Sequence, residues 1–182
     1  MSRLAREEGS SIIEVVISSA ILVTLMAGLM SLLGLSINTT ENQGHLAART
    51  TEYAQDKMEQ LLALAYGDVA SDTTVFPASA SGGTALAVGG SANPATPATK
   101  YVDYLDQSGN LCGSASALAA AAPCPAPVGT AAPDNWFYQR VWAVSSAGTN
   151  LKQVTVTATI ARGFGGGTRA TSVLTVLKTS PF

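Results

Sequence analysis

The chain has 182 residues, the length of one domain, with 12 acidic and 10 basic residues and a formal net charge of −2. That near balance speaks against nucleic acid as a direct partner, because phosphate binding wants a basic patch. Charged residues make up only 12% of the chain and hydrophobic ones 47%, and they are unevenly spread: no charge lies between Val15 and Thr40, which disfavours a wholly soluble cytoplasmic protein.

The first element is the apolar run Ile12–Ile37, whose polar members are mostly Ser and Thr. Such hydroxyls can be satisfied by the helix's own carbonyls. About 20 apolar residues cross a bilayer as a helix, so the run is long enough to span, and it exceeds the roughly 7–15 residues of a secretory signal's apolar region. Arg3 and Arg6 precede it, and no Lys or Arg follows before Arg49. The positive-inside rule then places the N-terminus in the cytoplasm and the bulk of the chain outside. Glu14 sits near the start of the run. A carboxylate there either lies among headgroups or meets a positive partner in a low-dielectric setting, such as a free α-amino group created by cutting the chain just before it.

The segment Gly9-Ser10-Ser11-Ile12-Ile13-Glu14-Val15, after a short charged leader and before a long apolar helix, resembles the class III signal of type IV pilin-like proteins. The resemblance implies a leader 1–9, cut by a prepilin peptidase after Gly9 on the cytoplasmic side, with possible N-methylation of the new first residue, Ser10. It makes Glu14 the fifth residue of the mature chain, the position that the family fills with Glu, and pairs it with the terminal amine of a neighbouring subunit during assembly. A buried charge is tolerated when paired, so such a pair can fix axial register. Ser10 stands where the family usually has Phe or another large apolar residue, the leader ends Arg6-Glu7-Glu8-Gly9 without the usual basic residue before Gly, and the helix has Gly28 and Gly34 but no Pro. The Ser10 start and the missing Pro lean toward a minor subunit.

The next segment, 38–66, reads as a continuing amphipathic helix. Ala47, Ala54, Met58, Leu61 and Ala65 fall on one side with Leu62 close by, and Arg49, Glu52, Asp56, Glu59 and Gln60 on the other. A break, if present, falls near Asn38–Gly44, and Gly67-Asp68 is a stop signal. An unbroken helix from Ser10 to Tyr66 would be roughly 85 Å long at 1.5 Å per residue. The run Ala54–Leu62 also resembles the second helical half of minor pilins and minor pseudopilins.

Residues 67–182 read as a β-rich extracytoplasmic domain. Low-complexity loops are expected at 77–99 and 113–133, with weak strand content in the first. Strands are expected at Tyr101–Leu105, Phe137–Val144, Leu151–Ile160 and Thr171–Leu177, with turns at Gln107–Asn110, Ser145–Asn150 and Gly163–Gly167. In the Leu151–Ile160 strand, Val154, Val156, Ala158 and Ile160 face one way and Thr155, Thr157 and Thr159 the other. The last three strands form an antiparallel meander on which the amphipathic helix lays its apolar stripe, an α+β fold. Cys112 and Cys124 are the only cysteines, and outside the cytoplasm they make one disulfide.

Three function classes compete: a structural filament subunit, a signal-anchored envelope protein with an adhesive or ligand-binding outer domain, and an envelope enzyme. The single His45 has no Ser or Cys nucleophile near it in sequence and reads as a solvated helix residue. Asp103, Asp106 and Asp134 fit no calcium-loop spacing and read as surface charges near turns. Gly163–Gly167 lacks the Lys-Ser/Thr of a phosphate loop, and Trp136, Tyr138 and Trp142 read as sheet core and strand edge before a binding strip. No catalytic residue, metal site or cofactor is expected. The reading is therefore a structural subunit, of the minor class, in a type IV pilus or type II secretion pseudopilus. Its partners are the prepilin peptidase, other pilin-like subunits and an inner-membrane assembly platform. Its location is the inner membrane in a single pass, then a filament at the cell surface or in the periplasm.

Overall fold

Ser11 opens the long helix: its carbonyl accepts from the amides of Glu14 and Val15, and Glu14 lies in the first turn, where the helix dipole favours a negative charge. The computed structural model describes residues 11–114, 124–161 and 169–180, in two units, Met1–Glu41 and Asn42–Phe182. Helix α1 spans Ile12–Ala63. Residues 38–44, where the sequence permits a break, are helical.

In the first unit the large apolar residues from Ile12 to Ile37 are all exposed. The hydroxyls of Ser19, Thr24, Ser31, Thr39 and Thr40 donate to carbonyls three or four residues back. The side-chain polarity of this segment is thus largely satisfied within the helix, as its Ser and Thr content anticipates.

The second unit holds a five-stranded antiparallel sheet. Its strands are β1 (Gly89–Gly90), β2 (Val102–Leu105), β3 (Tyr138–Gly148), β4 (Leu151–Ile160) and β5 (Thr171–Thr179). β3, β4 and β5 form the meander, and β1 and β2 both pair with the remaining side of β3. The α+β reading holds for this unit. β3 runs on through residues expected to turn, Ser145–Gly148, because β4 continues to pair with them, and a bulge between Ser146 and Gly148 leads into a reversal at Thr149–Asn150. Asn150 takes the left-handed conformation there, with φ of 59°, which Asn tolerates better than most residues.

One face of the sheet packs on the C-terminal part of α1. Ala54, Met58 and Leu61 meet Trp142, Val144, Val154, Val156 and Ala158, while Leu46 and Tyr53 cluster with Leu105, Tyr138 and Ile160. The buried helical stripe is Leu46, Thr50, Tyr53, Ala54, Lys57, Met58 and Leu61. Ala47 and Ala65, expected on it, are exposed. Tyr53 and Leu46 bring far more apolar surface than an alanine, and they set which side of the helix faces inward.

The other face is partly covered as well. Val102, Tyr104, Cys112, Cys124 and Val141 form a second core with Trp136, and the Tyr104 hydroxyl donates to the Thr130 carbonyl. Thr157 and Thr159 are buried, contrary to the half-solvated face their alternation suggests. They lie in register with Val141 and Gln139, under that cover.

α1 ends at Ala63, short of Tyr66, and lysines from the sheet take carbonyls at and just beyond its end. Lys178 Nζ donates to Leu62 and Leu64, and Lys152 Nζ to Tyr66 and Leu86. The last turn of α1 has no basic residue of its own, so β4 and β5 supply the cations that its negative end favours. β1 consists of two glycines, and Gly90 leaves no room for a side chain. A Cβ on Gly90 would come within 2.4 Å of the Trp142 carbonyl and 2.6 Å of the Tyr101 ring.

Candidate functional site

Two features stand out from the packing, one in each unit. The first is the apolar segment with Glu14. Glu14 has no ion-pair partner among the described residues and is exposed beside Ser18, Ser19 and Leu22. Gly9 and Ser10, the expected cleavage and methylation residues, lie outside the described residues, as does the turn expected at Gly163–Gly167. α1 is the one helix among the described residues long and apolar enough to cross a membrane, and none of its apolar window is buried.

The second feature is a buried ion cluster between α1 and the sheet. Lys57 sits on the buried stripe of α1, and Asp103 on β2 is the register partner of Arg140 on β3, so strand pairing puts both side chains on the face that α1 covers. Lys57 Nζ lies 2.8 Å from Asp103 Oδ2. Arg140 holds both oxygens of the same carboxylate, with Nε 2.7 Å from Oδ1 and Nη2 2.9 Å from Oδ2. Its Nη1 reaches Asp56 Oδ2 at 2.7 Å. Lys57 also donates to the Thr73 carbonyl and stands 4.0 Å from the centre of the Trp142 ring.

The cluster's protonation follows from burial and pairing. Burial alone pushes the Asp103 carboxyl up, but Arg140 and Lys57 outweigh it and hold it below its ordinary value. Burial pulls the Lys57 ammonium down, Asp103 opposes this, and the result is about 8 against 10.5. Arg140, also opposed by burial, is held charged by Asp103. The carboxylate is buried and answered by two cations, so a slip of helix on sheet would strand a buried charge, and the cluster favours the one register in which all three groups meet.

Several expectations are corrected here. Asp103 and Asp106 are buried, and only Asp134 is the exposed turn residue foreseen. Asp106 accepts from the amides of Ser108 and Asn110 and organises the 106–110 turn. Asp56 is exposed, on the solvent side as expected, and from there its carboxylate also ties to Arg140. Lys57 was legible only as a cation falling between Ala54 and Leu61 on an otherwise apolar stripe. Trp136, Tyr138 and Trp142 enter three different cores and form no continuous strip. His45 is exposed on α1. No group of three His, Cys, Asp or Glu side chains among the described residues could hold a metal.

Cys112 and Cys124 are joined in a disulfide, both buried in the second core. Nearby, Arg140, Asp56, Thr73, Phe76 and Leu111 line an open cleft of about 530 Å³.

No family of known proteins, no curated protein and no solved structure matches this chain.

Proposed function

We propose that the chain is a pilin-like subunit, of the minor kind, that enters a type IV pilus or type II secretion pseudopilus through its apolar N-terminal helix. The observation that carries this reading is the Ile12–Ile37 segment: its large apolar residues all exposed, no charge after Glu14, and Gly9-Ser10-Ser11-Ile12-Ile13-Glu14-Val15 leading into it. Exposed apolar surface on this scale needs lipid or other apolar helices around it. A helical filament core provides the second and a membrane the first, so one segment serves storage and assembly.

In this reading the prepilin peptidase cuts after Gly9, and the amine of Ser10 becomes available to Glu14 of a neighbour. The subunit waits in the inner membrane with its β-rich unit outside, and the assembly platform moves it among other pilin-like subunits. The disulfide supports an oxidising location for that unit. The chain has no catalysis of its own in this scheme.

The test is the intact mass and N-terminal sequence of the protein recovered from membranes of cells with and without the prepilin peptidase. A chain starting at Ser10 only when the peptidase is present is the expected result. A chain that keeps Met1 in both cases overturns the reading in favour of a signal-anchored protein, for which the cleft beside Arg140 and Phe76 is the place to look for a ligand.

A further inference from the structure

β5 is an edge of the sheet: it pairs with β4, and no strand among the described residues pairs its other side. The ladder decides which backbone groups that edge offers. Ile160 N donates to the Ala170 carbonyl and Ser180 N to Asn150, at either end of a pairing without register shifts. In an antiparallel ladder hydrogen-bonded pairs alternate. Residues 172, 174, 176 and 178 therefore turn their amides and carbonyls to β4, and Thr171, Val173, Thr175, Leu177 and Thr179 turn theirs outward.

Edge strands are ordinarily protected by shortness, Pro, a bulge or an outward charge. β5 has none of these. It is 9 residues long, contains no Pro or Gly, and its one charge, Lys178, is turned to the Leu62 and Leu64 carbonyls. Val173 and Leu177 are 58% and 56% exposed.

The sequence of the edge selects its partner. Outward from Thr175 the apolar and threonine positions of the strand mirror one another: Leu174 matches Val176, Val173 matches Leu177 and Thr171 matches Thr179, while Ser172 falls opposite Lys178. We propose that β5 is a homotypic docking edge, with two copies of this chain pairing β5 to β5, antiparallel, about a twofold axis at Thr175. Thr175 is an outward-bonding residue, so at the axis it exchanges both backbone bonds with its counterpart. Apolar side chains then oppose apolar ones on both faces, and each Lys178 opposes a serine, not another lysine. A register shifted by two sets Thr175 against Leu177 and Lys178 against Leu174, and loses that match. One strand pair buries less than the roughly 1,200–2,000 Å² of a stable interface, so the pairing is weak in dilute solution and fills when copies are concentrated. It uses the second unit alone and does not depend on filament assembly.

The test is disulfide trapping of the full chain in phospholipid vesicles under mild oxidation. The native cysteines are bonded to each other, so one introduced cysteine is the one reactive thiol. Opposed hydrogen-bonded residues lie about 5.5 Å apart, within disulfide reach, whereas Val173 and its own counterpart would be about 13 Å apart. Thr175→Cys alone gives covalent dimers, and so does a mixture of Val173→Cys and Leu177→Cys chains. Either of the latter alone gives a yield on the order of tenfold lower, since disulfides do not bridge such a gap. Thr175→Pro, which removes an outward amide and spares the β4 ladder, abolishes trapping in the Val173→Cys and Leu177→Cys mixture. Equal yields from all single variants, or no dimer from Thr175→Cys, overturn the proposal.

Discussion

Lys57 and Asp103 meet at 2.8 Å with both side chains essentially excluded from solvent, and Arg140 holds both oxygens of the same carboxylate. The carboxylate is thus the hub of the cluster, and its two buried cations depend on it unequally. Removing Asp103 leaves both cations buried with only the exposed Asp56 against them. Removing Lys57 leaves the bidentate Arg140–Asp103 pair intact. Asp103→Ala therefore costs about 3–5 kcal/mol, the usual penalty for breaking a buried ion pair, and Lys57→Met costs clearly less. Denaturant unfolding of the β-rich unit, followed by Trp fluorescence, ranks the two, and an equal loss would show that the hub is misassigned.

The same lysine gives the stability a pH signature. In the folded chain the Lys57 ammonium gives up its proton near pH 8, and in the unfolded chain near 10.5. Between those values the unfolded state binds more protons, so this group makes stability rise with pH across the window. The rise disappears in Lys57→Met. Unfolding midpoints of the two proteins across that range provide the measurement, the difference between them being the quantity to read.

The disulfide closes a loop with a sequence separation of 12. In the chain-entropy description a loop of this size contributes about 3 kcal/mol. Cys112→Ser with Cys124→Ser is expected to lower the thermal midpoint accordingly, and reduction of the wild-type protein is expected to do the same. A midpoint unchanged in both would mean that the second core holds without its covalent tie.

Gly90 has a positive φ of 86° and no room for a side chain between the Trp142 carbonyl and the Tyr101 ring. Gly90→Ala is expected to destabilise the β-rich unit by about 1–3 kcal/mol through backbone strain, with the clash adding to it. Gly67, which has nothing within 4 Å of an added Cβ, is the control position. Thermal melts of the two alanine variants make the comparison.

Glu14 is tested in cells. Under the proposed assembly role, Glu14→Gln leaves cleavage after Gly9 and membrane insertion intact but impairs incorporation into filaments. Fractionation of sheared filaments against membranes separates these steps. Normal incorporation of the variant would remove the charge pair from the scheme.

The sequence by itself determined whatever depends on neighbours along the chain. The Ile12–Ile37 run announces its exposure by its apolar length with no charge after Glu14, the limits of β4 follow from its alternation, and the two cysteines could make only one bridge. The tertiary structure decided what depends on long-range register. Arg140 and Asp103 are 37 positions apart and Arg140 and Asp56 are 84 apart, and only strand pairing under one face of α1 brings the three together. The same holds for Thr157 and Thr159, whose burial comes from segments outside their strand, and for the end of α1, where lysines of β4 and β5 take carbonyls at and just beyond the last turn. Periodicity reports which side of an element is apolar. What covers the other side, and which charge answers a buried charge, depends on how the elements meet.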